Sequence, residues 1–134
     1  MRESIRVSAV IPVKRRKLYR GWLDSKEHSA FTGAKAHVVS RVGGRFSAWD
    51  GYIEGKTLEL EAGRKIVQSW RSSDFPAESA DSRLVVSFRD VPGGTKITIY
   101  HSEIPEGQGK EYKRGWRDFY FSPMKAYFQK RKVK

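Results

Sequence analysis

Glu111 to Phe128 reads EYKRGWRDFYFSPMKAYF. Tyr112, Trp116, Phe119, Tyr120, Pro123, Met124, Tyr127 and Phe128 recur there at spacings of three and four, which lays one wide apolar stripe along a helix. Lys110, Lys113, Arg114, Arg117 and Asp118 fall mostly off the stripe, and Phe121 falls near the polar side. A helix from about Gln108 to Lys130 would be about 34 Å long, enough to cross a small domain. No second helical pattern of that length occurs, so the stripe must be buried against a sheet. Pro123 cannot donate to the carbonyl of Phe119. The expectation is a bend, or two helical segments meeting, between Phe119 and Pro123.

The sheet is readable upstream. Ser4 to Ile11 alternates, with Ile5, Val7, Ala9 and Ile11 on one face, and Pro12 ends it. Val13 to Leu23 reads as a short helix. Asp24 then caps a second one, with Glu27 at capping-box spacing and Gly33 as its stop. Strands follow at Ala36–Val42, Arg45–Ile53, Thr57–Glu61, Lys65–Arg71, Arg83–Arg89 and Thr95–His101, with a turn at Glu54-Gly55-Lys56 and a loop from Ser72 to Asp81. Short loops between alternating strands make neighbours antiparallel. The order is strand, two short helices, about six strands and one long helix. It predicts an α+β fold in which a curved antiparallel sheet grips the C-terminal helix. All 134 residues are expected to form one domain, with a basic tail over about 129–134.

Composition narrows the function classes. There are no cysteines, which removes disulfide and thiolate chemistry. The N-terminal apolar run precedes its basic cluster, the reverse of an export signal, and no run approaches the length of a membrane span. A cytoplasmic protein is expected. The net charge of +12 invites nucleic acid or an acidic protein surface as partner, with clusters at Lys14-Arg15-Arg16-Lys17 and Lys130-Arg131-Lys132.

The chemistry-bearing residues are sparse. His28, His37 and His101 are not at metal-ligand spacing, so neither a metal nor a cofactor is expected. His101 continues the inward face of Ile97 and Ile99, and is expected as a hydrogen-bonded residue at the rim of the groove. Glu59 and Glu61 lie about 7 Å apart along one strand face and read as solvated. Gly43-Gly44 and Gly93-Gly94 are turns, since neither precedes a phosphate-loop helix. No nucleophile–base pair can be placed, so no catalytic residue is assigned and the protein is expected not to be an enzyme.

Asp24–Gly33, Gly43-Gly44-Arg45-Phe46, Gly51 to Gly55, Lys65–Arg71, Gly115-Trp116 through Phe119-Tyr120, and Pro123–Phe128 together resemble the activator of Hsp90 ATPase homologue family. That family lies within the START-related, helix-grip superfamily. The resemblance runs from about Ile5 to Phe128. It implies a cavity between sheet and helix that takes apolar small molecules. It also implies the single-domain bacterial form, without the separate N-terminal domain and Asn-rich, Trp-containing motif with which eukaryotic co-chaperones stimulate the ATPase.

The expected function is therefore non-enzymatic binding of an apolar small molecule by a monomer. Expected cavity-lining residues are Phe31, Phe46, Trp49, Leu60, Trp70, Phe88, Ile99, His101, Trp116, Tyr120 and Met124. The alternative is an interaction module whose basic surface docks on an Hsp90-type chaperone or another acidic protein. Specific nucleic-acid binding ranks third, because the aromatics that would stack on bases are expected to face the groove.

Overall fold

The computed structural model describes residues 2–132; the end of the expected basic tail lies outside them, as do the side chains of Arg131 and Lys132. Strand β1 (Glu3–Ile11) leads into helices α1 (Arg15–Trp22) and α2 (Ser25–Thr32). Six strands follow: β2 (His37–Val38), β3 (Arg45–Ala48), β4 (Ile53–Glu61), β5 (Lys65–Ser72), β6 (Ser82–Val91) and β7 (Gly94–Ile104). They form one antiparallel seven-stranded sheet in the order β1-β7-β6-β5-β4-β3-β2, so the first strand closes against the last. The helix-grip α+β class expected from the sequence is the fold observed.

Period-two alternation supplies the inner face. Ile66, Gln68 and Trp70 of β5, Leu84, Val86 and Phe88 of β6, and Ile97, Ile99 and His101 of β7 are all buried. Their register sets Trp70 opposite Ser82 and Leu84 opposite His101. Each large apolar side chain so buried contributes about 1.5–3 kcal/mol. At α2, the Asp24 carboxylate accepts from the Glu27 amide at 2.8 Å and Gly33 ends the helix at φ 80°. The reciprocal half of the capping box is not made, because the Glu27 carboxylate instead accepts from the Tyr127 hydroxyl.

One hairpin departs from expectation. Strand β4 runs unbroken through Glu54-Gly55-Lys56, and the turn falls earlier, at Trp49–Tyr52. Trp49 (φ 53°), Asp50 (φ 57°) and Gly51 (φ 90°) are consecutively left-handed there. Gly51 adopts that geometry without penalty. The two side-chain-bearing residues do not, and each costs on the order of 1–3 kcal/mol.

The C-terminal helix is not uniform. An α-helix, α3 (Gly109–Gly115), passes into a π-helical segment over Trp116–Phe121 and returns to α-helix as α4 (Ser122–Lys132). The Ser122 amide donates to Arg117 five residues back, immediately before Pro123, which has no amide hydrogen to donate. The interruption expected near Pro123 is thus a π turn. It inserts one residue into the helical register and corrects the α-helical wheel at two positions. Phe121 is buried (4% exposed), and Phe119, which the wheel placed on the stripe, is 56% exposed.

Candidate ligand-binding site

The π segment and α3 lie across from the Trp49–Tyr52 turn, Ile53 of β4 and Trp70 of β5. Between them lies an apolar hollow of about 300 Å³, bounded by Trp49, Tyr52, Ile53, Trp70, Tyr112, Gly115, Trp116, Phe119 and Tyr120. That volume is at the lower end for small-molecule sites. Phe119 closes one side by meeting Trp49 edge-to-face, with ring centroids 5.7 Å apart. The strained turn described above holds Trp49 in that position. The buried Trp49 indole Nε1–H has no hydrogen-bond partner among the described residues.

Two buried histidines hold the wall from behind. His101 has no solvent exposure. Ser82 donates its hydroxyl to the Trp70 carbonyl at 2.7 Å, so His101 Nε2–H donates to Ser82 Oγ at 2.8 Å. His101 Nδ1 then accepts from Trp116 Nε1–H at 3.2 Å, which fixes the tautomer and orients that indole. His28 Nδ1–H donates to the Trp22 carbonyl at 2.8 Å, and its Nε2 accepts from the Tyr120 hydroxyl at 2.9 Å. Burial holds His28 down at about 4 and His101 at about 3, so both are neutral near pH 7.

Gly115 is the informative wall residue. Its backbone is ordinary right-handed helix (φ −59°, ψ −42°), and a Cβ built there would meet nothing closer than 3.9 Å. Neither conformation nor crowding requires a glycine, yet glycine in a helix interior costs about 1 kcal/mol relative to alanine. What the missing side chain leaves is free space in the hollow.

The expected lining residues divide accordingly. Trp49, Trp70, Trp116 and Tyr120 line the hollow. Phe31, Phe46, Phe88, Ile99, His101 and Met124 do not, because side chains from sheet and helix meet and fill the groove there. Phe88, for example, is closed off by Tyr19 at 5.7 Å. His101 is not at the rim but in the interior behind Trp116. Leu60 borders a separate surface depression beside Lys17 and Tyr19. Five lining residues were missed: Tyr52, Ile53, Tyr112, Gly115 and Phe119. Tyr112 and Phe119 were visible on the stripe, whereas Tyr52, Ile53 and Gly115 carried no periodic signal.

The sequence pattern of the "Activator of Hsp90 ATPase homolog 1-like protein" family matches residues 12–129. This chain belongs to that family. It is 30% identical over 112 residues to the human activator of 90 kDa heat shock protein ATPase homolog 1, covering 84% of this chain and 33% of that protein. The chain thus spans about a third of the length of the curated relatives it matches first. Among solved structures, an Hsp90 activator from Plasmodium falciparum superposes with a TM-score of 0.81 at 26% identity, covering 92% of this chain and 94% of that one. Protein MLL2253 from Mesorhizobium loti superposes with a TM-score of 0.79 at 21% identity, covering 96% and 98%, and shares the fold. Family membership accounts for the two short helices and the gripped C-terminal helix.

Proposed function

We propose that this chain binds an uncharged, mostly apolar small molecule in the hollow between the C-terminal helix and the sheet, without catalysing a reaction on it. The observation that carries this reading is the hollow itself: three tryptophans, three tyrosines and Phe119 surround free space in a molecule whose remaining groove is filled. The unexplained glycine at position 115 and the strained turn at Trp49 support it, since strain and helix irregularity concentrate at functional positions. Titration with Nile red, an uncharged apolar dye, tests it. The dye's emission should rise and tryptophan emission should fall on binding. Gly115→Leu, which fills the hollow from a helical position, should abolish the effect without lowering the melting temperature. A folded wild-type protein that leaves the dye unaffected would overturn the reading.

A second reading rests on the relatives: docking of the basic exterior on an Hsp90-type chaperone in the cytoplasm. The human and Plasmodium proteins bear the name of that activity. Association with a purified Hsp90-type chaperone should weaken with salt and be indifferent to Gly115→Leu. Association absent even at low salt would remove this reading.

A further inference from the structure

Two residues that line the hollow, Tyr52 and Tyr112, belong to a connected polar cluster. Tyr52 donates its hydroxyl to Asp74 Oδ2 at 2.6 Å. Tyr112 donates to Gln108 Oε1 at 2.7 Å, so the hydrogen shared between Ser72 Oγ and Tyr112 Oη, 2.5 Å apart, comes from Ser72. Gln108 Nε2 donates to the Asp74 carbonyl at 3.0 Å. Every hydroxyl hydrogen of the cluster is therefore already donated within it, and what the phenol oxygens have left are lone pairs.

The charge around the hollow points the same way. The chain carries +12, yet among the described residues no Lys, Arg or His lines the hollow. The charged group bonded to the cluster is the Asp74 carboxylate. Arg71, the neighbouring cation in sequence, is occupied by Asp81 at 2.6 Å and by the carbonyls of Pro76 and Ser79. Burial raises the pKa of both phenols, so they remain neutral. The Trp49 Nε1–H, without a partner among the described residues, is buried.

We propose that the ligand carries a hydrogen-bond donor, a hydroxyl or an amine on an apolar ring system, which it presents to Tyr52 and Tyr112, and that carboxylate ligands are rejected. A carboxylate at these phenols would meet oxygen lone pairs and Asp74, and would lose its hydration without a compensating donor. This rests on the hollow being a ligand site, and the test separates the two claims.

Naphthalene, 2-naphthol and 2-naphthoate at pH 7 share one apolar body and differ at one substituent. Their affinities are measured by displacement of Nile red from the full chain. One net hydrogen bond of about 0.5–1.5 kcal/mol predicts that 2-naphthol binds about 2- to 13-fold more tightly than naphthalene. 2-Naphthoate should bind more weakly than either. Within Tyr112→Phe, 2-naphthol should bind no more tightly than naphthalene. Tyr52→Phe, at an exposed position whose partner Asp74 is also exposed, supplies the same test if the first variant fails to fold. Equal binding of naphthol and naphthalene, preferred binding of naphthoate, or an advantage that survives in both variants overturns the donor proposal alone. Failure of all three compounds, with a dye that does not bind, overturns the ligand site and this proposal with it.

Discussion

Acid should unfold this protein through its two interior histidines. In the folded state His28 titrates at about 4 and His101 at about 3, both lowered by burial, against about 6.5 in an unfolded chain. Between those values the unfolded chain binds more protons than the folded one, so the stability present above pH 6.5 is lost as pH falls. Protonation would also set His101 Nδ1–H against the Trp116 indole N–H that it now accepts from. Each histidine contributes a slope of about 1.4 kcal/mol per pH unit inside its window, so the pair approaches about 3 kcal/mol per unit near pH 5. Between pH 7.5 and 4.5 the loss is about 5 kcal/mol, a large part of the 5–15 kcal/mol typical of a domain. Urea unfolding followed by tryptophan fluorescence at several pH values measures it. His28→Gln and His101→Gln should each be less stable at pH 7.5 and show about half the slope, which separates the histidines from carboxylates titrating below pH 5. A wild-type stability flat to within about 1 kcal/mol over this range would refute the reasoning, as would variants that keep the full slope.

Gly115→Ala should raise stability by up to about 1 kcal/mol in thermal or urea unfolding, because only helix propensity changes where the added methyl meets nothing close. Phe119→Ala removes an exposed ring, so stability should shift by less than about 0.5 kcal/mol while Nile red affinity falls with the loss of the Trp49 contact. Nucleic acid should be retained only at low salt, with a loss of about 10³-fold over a fourfold salt increase if six phosphates are contacted. Replacing Lys14, Arg15, Arg16 and Lys17 should reduce that retention and leave dye binding intact. Arg15 should matter least, since it already bonds Asp90 at 3.3 Å and the Gly63 carbonyl at 2.8 Å.

The fold was legible because its signals are local and periodic. Alternation in β5, β6 and β7 and the stripe from Tyr112 to Phe128 required burial against each other, and their order admitted one arrangement. The site was less legible because it depends on where periodicity breaks. A helical wheel assumes one register, and the π turn ahead of Pro123 changes it. Phe121 consequently turned from a surface residue into core, and Phe119 became a wall of the hollow. The hairpin at Trp49–Tyr52 was misplaced because Glu54-Gly55-Lys56 looks like a turn, whereas the observed one sets a tryptophan, a bulky residue that rarely adopts it, at positive φ. Gly115 was read only as part of a family pattern; its meaning appeared once the space beside it was known.

The central claim is that the free space under the π segment receives an apolar ligand. Intermolecular nuclear Overhauser effects from bound naphthalene or 2-naphthol to the protein's aromatic rings test it most directly. The account predicts effects to Trp49, Trp70, Trp116 and Phe119, with none to Phe88, which packs in the filled part of the groove. Effects confined to surface residues outside the hollow, or a ligand that binds equally well to Gly115→Leu, would contradict it.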